Sequence, residues 1–256
     1  MTVTLERSDD GLVATLRFAS EHPMNVFTTA TLEALRERVR EVASDRRVRV
    51  LVITGTDTVF SGGADLNDLN ALDDDAYRHY IASEYALFAE VEDLPLVTVA
   101  AIAGPCIGNG TELALACDVR IAAADARIGL PEMKVGFVAP AQRLTRYVGI
   151  GRAKELLYAG RLLPAAEAHE LGLVTTVTDD LAAEVERSAR RYAGYAPLAL
   201  SLTKQGIHRC YGLTGHGRAF DDQEQAAAFA TFRGPDFAEG RAAALEGRRP
   251  LFEGTR

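Results

Sequence analysis

The chain has 256 residues, 48% hydrophobic and 25% charged, which is enough for one large globular domain with its own core. A formal net charge of −8 argues against general nucleic-acid binding, which needs a basic surface. No apolar run reaches the roughly 18 residues of a membrane span, and the start has no secretory signal, so we predict a cytoplasmic protein. Three cysteines without CxxC spacing predict free thiols, and five scattered histidines without HExxH argue against a metal site.

Strands alternate with helices in the first half of the chain. Residues 11–18 and 48–56 are rich in β-branched and apolar residues, as strands are, and 30–45 has its apolar residues at helical spacing. A helix is predicted over 76–92, and a second buried strand lies within 96–110. The next predicted elements are a helix from about Gly110 to Cys117, strand and turn signals over 118–132, and helices over 151–160, 164–171, 180–211, 218–231 and 236–247. This order predicts an α/β core followed by a helical C-terminal region, whose amphipathic helices suggest a homo-oligomer.

Two loops share one layout, in which a buried strand leads through small residues into a helix or turn. They are FSGGADL (60–66) and CIGNGTEL (106–113). Small residues let a ligand approach the backbone, and a helix start leaves N–H donors unpaired. Together the loops predict two N–H groups that converge on one oxygen atom, the geometry of an oxyanion hole. The alternative is that each loop is an ordinary strand-to-helix turn, and neither matches a phosphate-binding motif.

Two glutamates lie beside these small-residue stretches. Glu112 is near the start of an apolar helix and Glu132 follows a proline in GLPEMKVG, so the pair suits acid and base catalysis. The alternatives are a first-turn acid that complements the helix dipole and a solvated turn residue. Asp65 is predicted to cap or brace the first loop, and Asp118 and Asp125 to be helix-end and turn residues.

Six motifs in fixed order span nearly the whole chain. They are MNVFTTATLEAL (24–35), FSGGADL (60–66), AIAGPCIGNGTELALACDVRIAA (101–123), IGLPEMKVG (128–136), QRLTRYVGIGRAKELLYAGRLLPAAEAHELGLV (142–174) and DFAEGRAAALEGRRPLF (236–252). With these motifs the chain resembles the crotonase (enoyl-CoA hydratase/isomerase) superfamily. The resemblance implies an α/β fold, with repeated ββα units in a spiral core (1–195) and a C-terminal helical region (196–256) that helps build a homotrimer, often a dimer of trimers. It also implies an acyl-CoA thioester substrate, with coenzyme A as part of the substrate and no separate cofactor, metal, nucleic acid or membrane partner.

The resemblance implies roles for four residues. The backbone N–H groups of Ala64 and Asn109 would hold the thioester oxygen as it becomes enolate-like. Glu112 and Glu132 would add water across the double bond of a trans-2-enoyl-CoA, one as base and one as acid, with the two roles not assigned. The family usually has glycine where Asn109 stands; asparagine tolerates left-handed backbone angles, so we expect a change in substrate shape more than a loss of function.

The resemblance gives less detail for coenzyme A. The positions implied to contact CoA or substrate are Met24, Asn25, Gly62, Asp65, Leu66, Gly108 and Phe137. Met24 would otherwise be a core residue and Asn25 a helix cap. Arg143 and Arg146 would either meet the phosphorylated cofactor or pair with structural acids.

One stretch departs from the family pattern. GFVAPAQRL (136–144) is some three residues shorter than in typical hydratases and lacks their double glycine, so Phe137, Val138 and Pro140 should alter the acyl pocket. Two alternatives to a hydratase therefore stay open. One is a Δ3,Δ2-enoyl-CoA isomerase, which needs a single glutamate, and the other is a catalytically silent acyl-CoA-binding oligomer.

Overall fold

A computed structural model describes residues 2–211 and 219–251. The strands are β1 (Thr2–Arg7), β2 (Val13–Ala19), β3 (Val50–Thr54), β4 (Val97–Ile102), β5 (Pro105–Ile107), β6 (Val119–Ala123), β7 (Arg127–Gly129), β8 (Leu163–Pro164) and β9 (Thr176–Thr178). The helices are α1 (Thr29–Ser44), α2 (Leu66–Ala71), α3 (Asp74–Asp93), α4 (Asn109–Ala116), α5 (Ala141–Ala159), α6 (Ala165–Glu170), α7 (Leu181–Ala193), α8 (Pro197–Cys210), α9 (Ala219–Phe232) and α10 (Pro235–Glu246), with a 3-10 helix over Glu132–Val135.

The larger sheet has the strand order β1-β2-β3-β4-β6-β9 and is parallel apart from the β1–β2 pair. Its central strands β3 and β4 are mostly apolar because both faces of the sheet are covered. Leu51 and Ile53 face the main core, whereas Val50 and Val52 pack with Ala189 of α7 on the opposite face. Alternate side chains of β3 therefore pack on opposite faces of the sheet, so the strand lies between two layers of helices.

A second, smaller sheet has the order β5-β7-β8. Each of β4 and β6 is followed at once by a short strand of this sheet, and a bridge between Ser61 and Cys106 brings the segment after β3 to the same edge. A further bridge joins Phe27 to Ala64. The chain thus repeats a long strand, a short strand and a helix, which places successive loops side by side.

The helical predictions hold with changes at their ends. The span 180–211 is two helices, since α7 ends at Ala193 and Pro197 begins α8. The helix predicted from 151 begins at Ala141, because Gly149 (φ +73°) breaks α5 and hides the continuity of the pattern. Residue 218, the first of the predicted 218–231 helix, lies outside the described residues. The division of the chain at residue 195 stays a prediction.

Other features agree with the composition. Cys106 and Cys117 are buried free thiols, and Cys210 is an exposed one. Among residues 2–211 and 219–251, no helix combines the length and apolarity needed to cross a membrane.

Candidate active site

The two small-residue loops lie against each other. A Cβ atom placed on Gly108 would be 3.8 Å from the Cα of Gly63 and 3.3 Å from Oε1 of Glu132, and one on Gly63 would be 3.4 Å from the Asn109 nitrogen. Both glycines have positive φ, +91° at Gly63 and +57° at Gly108, which other residues adopt at a cost. The glycines therefore let the two backbones and the Glu132 carboxyl meet.

The Ala64 N–H points away from the neighbouring segment at Phe27. Phe27 accepts from the amide of Asp65 and donates to the carbonyl of Gly63, so the hydrogen bonds on that side use the neighbours of Ala64. Asn109 begins α4, where the first amides have no partner within the helix. Neither the Ala64 nor the Asn109 amide donates a hydrogen bond to another of the described residues. Both amides are therefore without a partner among the described residues, as the predicted oxyanion hole requires.

Asn109 does not need the left-handed backbone considered from the sequence. Within the described part of the chain, Asn25 is the only residue other than glycine with positive φ, so Asn109 has ordinary helical angles. Its side-chain amide donates to the hydroxyl of Tyr80, with a distance of 3.2 Å from Nδ2 to the hydroxyl oxygen. The Asn109 side chain is therefore held against α3, and the backbone N–H of Asn109 keeps its position at the start of α4.

Glu132 begins the 3-10 helix and is buried, with neither carboxyl oxygen bonded to a described residue. Burial raises the pKa of this carboxyl to about 8, opposed by a backbone hydrogen bond and reinforced by the charge of Glu112. At pH 7 the group is therefore mostly a neutral acid. The alternative of a solvated turn residue is wrong, because the segment is covered by the C-terminal helices.

Helix α10 packs against the segment that carries Glu132. A Cβ on Gly240 would lie 2.3 Å from the carbonyl oxygen of Val135, and one on Gly136 would lie 2.7 Å from the backbone of Asp236. The ring of Phe237 packs 4.9 Å from that of Phe137. Glycines at these two crossings allow a backbone-to-backbone contact that larger residues would prevent.

Glu112 has a different environment, although it too is buried, with 3% of its surface exposed. Arg143 of α5 donates from Nη1 to Glu112 Oε1 at 2.7 Å and from Nη2 to Glu92 Oε2 at 3.1 Å. Arg146 also pairs with Glu92, at 2.8 Å. Both arginines therefore pair with acids of the protein, which was one of the two alternatives for them.

A cavity of about 320 Å³ opens beside the amides, within the size range of small-molecule sites. The predicted positions on its wall are Met24, Gly62, Ala64, Asp65, Leu66, Gly108, Asn109, Glu132 and Phe137. Glu112 does not line the cavity, since its carboxyl is turned to Arg143. Asp65 also caps α2 by accepting from the amides of Asn67 and Asp68, as predicted.

Asn25 does not line this cavity either. Its side chain is 1% exposed and donates to the carbonyls of Phe18 and Phe60 while accepting from the amide of Ser20. It is also not a helix cap, because Thr28 caps α1 through a reciprocal bond with Thr31. Asn25 instead braces the loop that precedes α1, and this corrects both interpretations.

The sequence analysis missed the contribution of α3. Tyr77, Tyr80 and Glu84 share one face of this helix and line the cavity. Burial raises the pKa of Glu84 well above its usual value, with further increases from Glu112 and Glu132 and a smaller opposing effect of Arg143. A signal was present, since Glu84 stands three residues after Ile81 and four before Phe88, on the apolar face.

The chain is similar to known proteins along nearly its whole length. The family model described as enoyl-CoA hydratase/isomerase matches residues 9–255. A probable enoyl-CoA hydratase of Bacillus subtilis is 34% identical over 242 residues, covering 91% of this chain and 92% of the relative. The short-chain-enoyl-CoA hydratase of Clostridium acetobutylicum is 29% identical, covering 90% and 94%.

Solved structures match along the same length. An enoyl-CoA hydratase structure from Mycobacterium avium subsp. paratuberculosis superposes with a TM-score of 0.88 at 27% identity, covering 98% of both chains. One from Bacillus anthracis has a TM-score of 0.78 at 32% identity and covers all of both chains. The predicted α/β fold of the crotonase type is therefore confirmed. With its two loops joined at Gly63 and Gly108 beside a buried glutamate, the chain belongs to the enoyl-CoA hydratase/isomerase family.

Proposed function

We propose that the protein is an enoyl-CoA hydratase that adds water to a trans-2-enoyl-CoA thioester. The observation that carries the proposal is that Gly108 lies close to both Gly63 and Glu132, which supports the use of two unpaired amides and a neutral acid in one cavity. The Ala64 and Asn109 amides would hold the thioester oxygen. Each donor of this kind stabilises developing negative charge by about 2.7–4 kcal/mol.

The different environments of the two glutamates support one division of roles. Glu112, paired with Arg143, takes a proton from water as the oxygen forms a bond to C3. The electrons of the double bond move to the thioester oxygen, which becomes an enolate held by the two amides. Glu132 then gives its proton to C2, the enolate collapses, and the product is a 3-hydroxyacyl-CoA. Proton exchange with solvent restores both carboxyl groups.

A specific observation favours a second candidate, a Δ3,Δ2-enoyl-CoA isomerase. Of the two predicted glutamates, Glu132 is on the cavity wall and Glu112 is not. A single carboxyl group can move a proton from C2 to C4 or back, with no water added. In this candidate the Arg143–Glu112 pair supports α4 and has no part in the chemistry.

The test follows the conjugated absorbance of crotonyl-CoA, together with the isomerisation of a trans-3-enoyl-CoA. For the hydratase we expect Glu112→Gln and Glu132→Gln each to lower the rate of hydration about 10²–10⁴-fold. Glu170→Gln, a substitution of the same kind at an exposed position of α6, should leave the rate unchanged. Isomerase activity without hydration would establish the second candidate, and CoA-thioester binding without turnover would establish the silent oligomer.

The trimer, as a single or double trimer, is part of the proposal. Helix α8 has no buried residue in the single chain, and Leu198, Leu202 and Ile207 are more than half exposed. Such a row of apolar side chains supports burial against another copy.

A further inference from the structure

Glu84 is a third carboxyl group of the cavity, outside the pair used in the proposed reaction. It lies on α3, one helical turn after Tyr80, and lines the cavity with Glu132. Only 5% of its surface is exposed. Tyr80 holds the Asn109 side chain, so Glu84 stands roughly 6 Å further along α3 than the residue beside the oxyanion amides.

Among residues 2–211 and 219–251, Glu84 forms no hydrogen bond or ion pair, and the charged groups around its carboxyl are Glu112, Glu132 and Arg143. Arg143 is already bonded to Glu112 and Glu92. A buried polar group without a partner is costly, and such groups in a binding cavity are commonly satisfied by the ligand.

The surroundings decide what kind of partner the group can take. Burial and two neighbouring acids raise the pKa of Glu84 well above its usual value, which favours the neutral form, whose carboxyl group has an O–H to donate. The cavity that Glu84 lines also has apolar and aromatic side chains on its wall, including Leu69, Val135, Phe137 and Phe237. A hydrogen-bond donor in such a cavity suits an oxygen acceptor on a chain that otherwise fits by its apolar surface.

We propose that Glu84 is a specificity-determining residue that donates a hydrogen bond to an oxygen atom carried by the acyl chain beyond the reacting carbons. The substrate class is then acyl-CoA thioesters with an ether, hydroxyl or carbonyl oxygen in the chain, in preference to plain alkyl thioesters. This inference rests on the proposed function to the extent that the thioester oxygen is placed at the Ala64 and Asn109 amides.

The test measures the binding of saturated thioesters by titration calorimetry, so that no turnover is needed. Octanoyl-CoA is compared with its 5-oxa, 6-oxa and 7-oxa isosteres, in which one methylene is replaced by an ether oxygen. We expect at least one isostere to bind the unmodified protein about tenfold more tightly than octanoyl-CoA, because the alkyl chain leaves Glu84 unsatisfied.

Two substitutions at the same position give the decisive contrast. Glu84→Gln keeps an N–H donor and should keep the preference, whereas Glu84→Leu should reverse it in favour of octanoyl-CoA. Glu90→Gln is the matched control on the same helix, since Glu90 pairs with Arg36 and Arg40 away from the cavity and the preference should not change.

Two results would overturn the inference: octanoyl-CoA binding as tightly as all three isosteres, or an oxygen preference that persists in Glu84→Leu. If an isostere is preferred but no thioester is hydrated, the hydratase proposal fails and this one stands. If crotonyl-CoA is hydrated but no isostere is preferred, this one fails alone.

Discussion

Glu112 and Glu132 are the same residue type and are both buried beside the same loop, yet different groups surround their carboxyl groups. Arg143 meets Glu112 at 2.7 Å, whereas Glu132 has no partner among the described residues. The first arrangement favours the carboxylate and the second favours the neutral acid. A guanidinium beside one carboxyl, and burial without a cation beside the other, thus support the proposed division into a base and an acid.

The largest expected effect comes from removing the ion pair between Arg143 and Glu112. Arg143→Met should lower the free energy of unfolding by about 3–5 kcal/mol, because it leaves the buried carboxyl of Glu112 without its cation. The measurement is denaturant unfolding at neutral pH. Arg248→Met removes an exposed ion pair with Glu239, and this control should change the free energy of unfolding far less than Arg143→Met does.

If Glu112→Gln is added to Arg143→Met, part of the lost stability should return, since a neutral amide needs no counter-charge. An Arg143→Met variant as stable as the unmodified protein would mean that the ion pair does not hold Glu112 in its charged form.

The second prediction concerns Glu132 and the pH dependence of kcat/KM and of stability. Because the acid form is needed, kcat/KM should fall about tenfold per pH unit above pH 8, where Glu132 ionises.

The free energy of unfolding should change over a different pH range. The folded pKa of about 8 exceeds the unfolded value of 4.5, so the folded state binds the extra proton between these pH values and loses stability as pH rises through them.

Glu132→Gln has no such proton, so the difference in unfolding free energy between it and the unmodified protein isolates this contribution. We expect the variant to gain relative stability from pH 5 to pH 8. A constant difference over that range would contradict a raised pKa at Glu132.

The smallest effect is expected where α3 meets the oxyanion amides. Tyr80→Phe removes the hydroxyl that accepts from the Asn109 side chain and should lower kcat/KM about two- to tenfold. Asn109→Gly removes the other partner, so Tyr80→Phe should have no further effect in that background. If the two losses simply multiply, the hydrogen bond does not position Asn109.

Sequence patterns predicted those features of the fold that depend on residues close together in the chain. The strand–loop–helix layout around Gly63 and Gly108 fixed where two amides would meet, and Asp65 was recognisable as a helix cap. The short strands of the second sheet were harder to see, since β5 and β7 have three residues each and β8 has two. Their pairing comes from neighbours distant in the chain.

The site was predictable in its residues but not in its electrostatics. The motifs named Glu112 and Glu132 without showing which one meets Arg143, because that contact joins α4 to α5 across the core. Glu84 escaped attention for a similar reason. A lone acid in an amphipathic helix looks like a surface residue until the packing of α3 shows which face is covered.

The contact of α10 with the 3-10 helix joins Glu132 to a helix that is much later in the chain. During synthesis both glycine loops leave the ribosome well before Gly240 and Phe237 reach Val135 and Phe137. Until then the 3-10 helix lacks this cover, so the Glu132 carboxyl would be more open to water and would ionise more readily. The raised pKa of Glu132 would thus be complete only after α10 has docked.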